Sequence, residues 1–218
     1  MEKVFDFLSD LKHNNNRNWF NENKDSYEIA RSEANQLFER IYDEISEIDK
    51  VEPLKKYRIY RDIRFSLDKT PYKNHFSAFI GRKKPYNRGG FYIHLEPNNC
   101  FIGGGFWGPE AKDLLRIRQA IDVSDDLKVI LSDKNLINTF GNLVGEELKT
   151  APKGFPKDHE RIELLRKKQF LFIKNIKNDL IFDEDFPLSV KEDFETLLPF
   201  FGYMTEVLTI DDNGEFIF

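Results

Sequence analysis

Between Tyr57 and His75 the chain reads YRIYRDIRFSLDKTPYKNH, a stretch dense in groups that recognise anions. Arg58, Arg61 and Arg64 recur at every third residue, and Lys69, Lys73 and His75 follow. A guanidinium is a planar fork that meets a carboxylate or phosphate through two parallel hydrogen bonds, and an ammonium adds a compact charge. The formal net charge of the chain is -5, so this positive charge stands against an acidic background. Farther along, Tyr92, His94 and Glu96 alternate with Phe91, Ile93 and Leu95. On a strand the first three share one face. A histidine beside a carboxylate can be a general base near neutral pH or a metal ligand. Across an antiparallel meander His75 and His94 can lie near each other, which makes them the candidate acid/base groups. Two histidines without a clear third ligand predict no metal, and no cofactor is predicted. Whether the chain is an enzyme is left open.

The candidate ligand-binding set is Arg58, Arg61, Arg64, Lys69, Lys73, His75, Tyr92 and Trp107, the last two as a stacking wall. Each has an architectural alternative. If Tyr57 to Phe65 is a strand, Ile59, Arg61, Ile63 and Phe65 share one side, and Arg58, Tyr60, Asp62 and Arg64 the other. An Arg61 among apolar residues must be paired, because an unpaired buried charge is prohibitively costly. Asp62 can pair with Arg58 or Arg64. Ser66 and Lys69 match S-x-x-K, but Pro71 follows at once and neither S-D-N nor K-T-G accompanies them, so a Ser-Lys hydrolase is disfavoured. Gly103-Gly104-Gly105 before Phe106 and Trp107 is neither phosphate-binding glycine motif, and reads as a strand deformed so that both rings can pack.

These residues need elements to position them. Phe5, Leu8 and Leu11 have helical spacing, and Asn14-Asn15-Asn16 ends that helix. The spacing of Trp19, Phe20, Tyr27, Ala30, Ala34, Leu37, Phe38, Ile41, Ile45 and Ile48 predicts a second helix from about Asn18 to Asp49. Four strands are expected over 57–106: Tyr57 to Phe65, Phe76 to Gly81, Phe91 to Glu96 and Cys100 to Phe106. Pro97-Asn98-Asn99 joins the last two as a hairpin. Pro109 fits the first turn of a following helix. Residues 145–157 read as extended and His159 to Arg166 as helical. A further strand falls at 169–173, and an amphipathic helix at about 188–210 is kinked at Pro199. The fold class is α+β, an antiparallel sheet of four or more strands packed by N-terminal and C-terminal helices. It is read as one domain over 1–218, with a helical hairpin at 3–50, the sheet core at 57–106 and a helical part at 109–218.

Composition narrows the function classes. The apolar share of 40% excludes wholesale disorder, and 21 Phe point to an aromatic core. Cys100 is the lone cysteine, which excludes an internal disulfide and any multi-cysteine zinc site, and its neighbours do not activate it. No secretory leader and no membrane-length apolar run is present, so a cytoplasmic protein without membrane contact is expected. Nucleic acid is disfavoured by the acidic balance.

The run R-x-x-R-F-S-x-D-K-T-P-Y-K-x-H from Arg61 to His75, the opening NN-x-R-x-WF run that ends at Phe20, and later G-x-x-x-P-E and P-K-G elements resemble the family called domain of unknown function 2461. The likeness covers about residues 3–205. It implies a soluble, mostly bacterial family and brings no activity and no catalytic residue. The expectation from residue chemistry is a protein that binds, and is a candidate for acting on, a small phosphate- or carboxylate-bearing ligand at a basic cleft. The alternative is an interaction module that docks an acidic protein partner through Arg82, Lys83, Lys84 and Arg88. Nucleic-acid contact through the same loop ranks below both.

Overall fold

The computed structural model describes residues 1–211 and 213–217. Helix α1 (Glu2–His13) buries Val4, Phe5, Phe7, Leu8 and Leu11. The asparagine run then ends it, and Asn16 caps α2 (Arg17–Glu22) by accepting from the Trp19 N–H at 3.0 Å. The single helix expected from Asn18 to Asp49 is interrupted at Asn23, after which α3 runs over Lys24–Ile48. Asn23 causes the break: its side-chain amide donates to the Trp19 carbonyl at 2.9 Å, competing with the helical ladder.

The sheet is an antiparallel meander in chain order, β1 (Lys55–Lys56), β2 (Phe76–Gly81), β3 (Gly90–Leu95), β4 (Cys100–Phe106) and β5 (Phe170–Ile176). The strand expected over Tyr57 to Phe65 does not form. Lys55 and Lys56 pair with β2, the Tyr57 N–H bonds the Ser77 carbonyl at 2.9 Å, and the chain then folds back on its own continuation. The Arg61 N–H bonds the Pro71 carbonyl at 2.9 Å, the Lys73 N–H bonds the Ile59 carbonyl at 2.8 Å, and Tyr60 bridges Tyr72. The alternation was misleading because Ile59 alone of its apolar side is buried, and Phe65 is fully exposed.

Between β4 and β5 lie α4 (Ala111–Val123), α5 (Asp126–Leu131), α6 (Lys134–Phe140) and the short α7 (Ile162–Leu165). Pro109 precedes α4 rather than entering its first turn. Residues 145–157 are extended only locally; Val144 and Glu147 make single bridges to Leu171 and Lys167. The C-terminal helix expected at 188–210 is two helices, α8 (Phe186–Glu195) and α9 (Leu198–Thr209). Pro199 sits in the first turn of α9, where its missing N–H costs nothing.

One sheet face is the core. Phe76, Ala78, Ile80, Phe91, Ile93, Leu95, Ile102, Phe170 and Phe172 are all buried on it. Phe91 packs on Phe194 and Phe201, with ring centroids 4.8 and 5.1 Å away, and Phe172 meets Phe200 at 5.1 Å. Phe7 and Tyr27 cover Phe76. Thus α1, α3, α8 and α9 all lie over the same face. The triple glycine serves that contact: a Cβ on Gly104 would stand 2.5 Å from Leu197 Cδ1. Phe106 packs as expected, but Trp107 is 72% exposed.

Arg82, expected on a basic surface, is buried. It pairs with Asp49 at the end of α3, and its Nη1 donates to the carbonyls of Arg88 and Phe201 and to Thr205 Oγ1 at 3.0–3.2 Å. Its guanidinium lies 4.7 Å from the Phe201 ring centroid. One side chain therefore ties α3, the β2–β3 connection and α9. Removing either partner leaves a buried charge without compensation. Arg82→Ala and Asp49→Ala should each lower unfolding free energy by about 3–5 kcal/mol, read from urea denaturation curves; a loss near zero would mean that the pair is incidental.

Candidate functional site

The face of the sheet away from the helices carries the chemistry. Because Phe91, Ile93 and Leu95 enter the core, Tyr92 and His94 point the other way, and Glu96 follows just beyond β3. Register brings Ser77 of β2 and Phe101 of β4 to either side of His94. The His94 ring stacks on Phe101 with centroids 4.5 Å apart, and His75, just ahead of β2, lies 4.1 Å from His94.

A hydrogen-bonded chain runs along this face. Asn99 Nδ2 donates to Glu96 Oε2 at 2.7 Å, and His94 Nε2 lies 3.2 Å from the same oxygen. Burial raises the Glu96 pKa, but the bonds from Asn99 and His94 outweigh it, so the group sits below its ordinary range as a carboxylate. A carboxylate only accepts, so His94 donates through Nε2 and its Nδ1 accepts from the Tyr92 hydroxyl at 3.3 Å. The Tyr92 hydroxyl in turn is hydrogen-bonded to Ser77. Burial also lowers the pKa of His94 and, together with the adjacent His94 and Lys73, brings His75 down to about 4. Both imidazoles are thus neutral at pH 7. Among the described residues, neither ring nitrogen of His75 has a hydrogen-bond partner. The arrangement can pass a proton between a phenol, an imidazole and a carboxylate, and offers a free imidazole lone pair beside them.

Positive charge borders this face. The Lys73 ammonium lies 5.4 Å from the Tyr57 ring centroid, and Lys55 sits 5.2 Å from the same ring. Tyr57 in turn faces Tyr92 at 6.3 Å. Burial, and then the proximity of Arg58, lower the Lys73 pKa. Among the described residues neither Lys73 nor Arg58 has an ion-pair partner.

The other expected residues are placed elsewhere or are already engaged. Arg61 is near enough to act electrostatically on His75, but it pairs with Asp68 and donates to Thr70 Oγ1 at 2.8 Å, closing the 61–71 loop. Arg64 chelates Asp62, and Lys69 donates to the Ile63 carbonyl at 2.9 Å, away from Ser66. Trp107 follows the far end of β4, opposite the turn that joins Leu95 to Cys100. Arg88 pairs with buried Asp113. Recesses occur elsewhere, one of them lined by Arg40, Asp43, Glu44, Glu184 and Asp185, whose acid excess disfavours an anion. Ser77 and His94 are buried on this face, and Tyr57, His75, Tyr92, Glu96 and Phe101 are half-buried, so the site is a partly covered shelf.

Sequence reasoning put Glu96 on the right face as the carboxylate beside His94, and it missed Tyr57, Ser77 and Phe101. Strand register supplies Ser77 and Phe101; nothing in the local sequence points to Tyr57. It also missed what holds the motif in place. Asn15 Nδ2 donates to the Tyr72 carbonyl and to Asn74 Oδ1, both at 2.9 Å, and Asn15 Oδ1 accepts from the Tyr72 N–H at 3.1 Å. Phe20 stacks on Tyr72 with centroids 4.0 Å apart. The opening NN-x-R-x-WF run therefore clamps the residues on either side of Lys73, and the two motifs are one structure.

A family model described as a conserved hypothetical protein matches residues 3–203. The chain belongs to the family called domain of unknown function 2461. No curated protein and no solved structure matches it. In this member of domain of unknown function 2461, the matched span contains the whole shelf and both motifs.

Asn15→Ala removes an amide that satisfies both backbone groups of Tyr72, and should cost about 1–3 kcal/mol in denaturant unfolding; an unchanged midpoint would show that the clamp is dispensable. Cys100 donates to the Glu96 carbonyl at 3.0 Å, and burial pushes its pKa up to about 11. An aromatic disulfide reagent should leave it unmodified in native protein and react fully in denaturant; rapid native modification would contradict an inert thiol.

Proposed function

We propose that the protein binds a small ligand bearing a phosphate or carboxylate group on the outer sheet face. Its anionic group sits between Lys73 and Arg58, its body rests on Tyr57, Tyr92 and Phe101, and His75 and His94 are its acid/base candidates. The observation that carries this reading is charge compensation. Arg61, Arg64, Arg82 and Arg88 each pair with an aspartate, whereas among the described residues neither Lys73 nor Arg58 makes an ion pair; Arg58 acts on Asp62 only through space. Lys73 is half-buried, and an ammonium held partly out of water beside a guanidinium is costly until an anion joins it.

Of the basic edge on which the interaction-module reading rests, Arg82 is buried and Arg88 is half-buried and paired with Asp113, whereas Lys83 and Lys84 are exposed. A different observation favours it: Phe65 and Leu67 are fully exposed at the tip of the loop that Arg61 closes, next to Arg64. Nucleic-acid contact through the 82–88 loop rests on the same two arginines, each already paired with an aspartate.

Thermal unfolding with inorganic phosphate, a sugar phosphate and citrate separates these readings. At least one probe should raise the melting temperature of the wild-type chain, and Lys73→Ala and Arg58→Ala should each abolish that rise while Lys84→Ala keeps it. Equal rises in all three variants, or none in the wild type, would remove the anion site. Loss of a partner on Phe65→Ser, with no anion effect, would favour the interaction module.

A further inference from the structure

The three groups His75, His94 and Glu96 come from two separate parts of the chain, yet one ligating atom from each lies within 4.8 Å of the other two. We propose that they form a binding site for a divalent first-row transition metal ion of the zinc or ferrous class. Two imidazole nitrogens and one carboxylate oxygen are the donor set that such ions take, in contrast to the all-oxygen sets of calcium and magnesium.

The residues fit the ion in three respects. First, the spacing is close to what coordination needs. Bonds of about 2.0–2.2 Å place tetrahedral ligand atoms about 3.4 Å apart, so side-chain rotations of about an ångström close the site. His94 Nε2 and Glu96 Oε2 are already 3.2 Å apart. Second, the outer contacts are in place. A ligating imidazole usually donates its other N–H to a fixed acceptor, and a ligating carboxylate is itself hydrogen-bonded. Tyr92 Oη stands 3.3 Å from His94 Nδ1, and Asn99 holds Glu96 Oε2 at 2.7 Å. When the ion displaces the Nε2 proton, the His94 proton moves to Nδ1 and is donated to Tyr92, while the Tyr92 hydroxyl proton turns away to another acceptor. Third, His75 is the one imidazole of the group whose ring nitrogens have no hydrogen-bond partner among the described residues, although His94 stacks against it. The His75 nitrogens are not among the buried atoms that lack a partner, so they are open to an incoming ion.

Three protein ligands leave coordination positions for water or another small molecule, as in reactive rather than structural metal sites. The neighbouring cations Lys73 and Arg58 are not ligands. The metal site therefore needs neither Lys73 nor Arg58, the two cations that hold the anion in the reading above, although it takes the two imidazoles that reading names as acid/base candidates.

The test uses the tag-free full chain, stripped with a chelator, dialysed against zinc alone in phosphate-free buffer, and assayed for bound metal per chain. The wild type should retain one ion. His75→Ala and Glu96→Gln should each weaken retention by more than about tenfold, the size of loss that even an outer contact produces, and Lys84→Ala should not. Cobalt(II) in place of zinc should give a visible spectrum of nitrogen and oxygen ligation that both ligand variants lose. Glu96→Gln keeps an acceptor for His94 and Asn99, so it decides the matter if His75→Ala unfolds. No retained ion in the wild type, or retention unchanged in Glu96→Gln, overturns the proposal. Zinc retention without any anion-induced stabilisation would sink the anion reading and leave the metal site standing; the converse result would do the opposite.

Discussion

The strict alternation of β3 between an aromatic core and an outer face governs everything else. Phe91 is gripped by Phe194 and Phe201, and Ile93 and Leu95 are buried beside it. With those three fixed, Tyr92, His94 and Glu96 have one face left to occupy. A slip of a single residue would drive an imidazole and a phenol into the phenylalanine layer and expel Phe91 into water. The core therefore sets the positions of the polar chain as firmly as it sets the fold. The same register holds Ser77 and Phe101 on either side of His94.

A second constraint acts through the N-terminal helices. They cover the core face, but their asparagine turn also reaches round to grip Tyr72 and Asn74. Lys73 and His75 interleave with those gripped residues, so their side chains are aimed by a contact nearly sixty residues away in sequence. The arginines that make the central motif look like a binding site mostly secure its own loop. Arg61 collects Asp68 and Thr70, and Arg64 collects Asp62. Their worth is conformational: they hold an irregular loop in one shape, leaving the Lys73–His75 limb to face the shelf.

This division explains what could be read in advance. The α+β class, the meander from Phe76 to Phe106 and the shared face of Tyr92, His94 and Glu96 follow from periodicity, which is local. The approach of His75 to His94 follows from the meander. The strand expected at Tyr57–Phe65 failed because its alternating pattern was not an amphipathic one: Asp62 and Asp68 offered its arginines local partners, and the backbone paired with Pro71 and Lys73 instead. Arg82 and Arg88 looked like surface charge because their acids, Asp49 and Asp113, lie 33 and 25 residues away. Burial of a charge depends on partners that sequence spacing does not reveal. The bond from Asn99 to Glu96 was not legible because the turn that brings Asn99 back is a tertiary detail.

Stability alone does not account for what remains on the outer face. Ser77, Tyr92, His94, Glu96 and Asn99 satisfy one another, and a closed network of that kind can rigidify a sheet. A set of apolar side chains would cover the same strands at no desolvation cost. Beside that closed network stand three groups it does not satisfy: the His75 imidazole, the half-buried Lys73 ammonium and the Arg58 guanidinium. Of the three, Lys73 is partly desolvated beside Arg58, Arg58 itself is exposed, and none holds two elements together as Arg82 does. Groups that cost stability and carry no architectural contact are those a ligand would repair. The two proposals rest on that juxtaposition, an imidazole lone pair at His75 and an unpaired ammonium at Lys73, within one strand pair and its preceding turn.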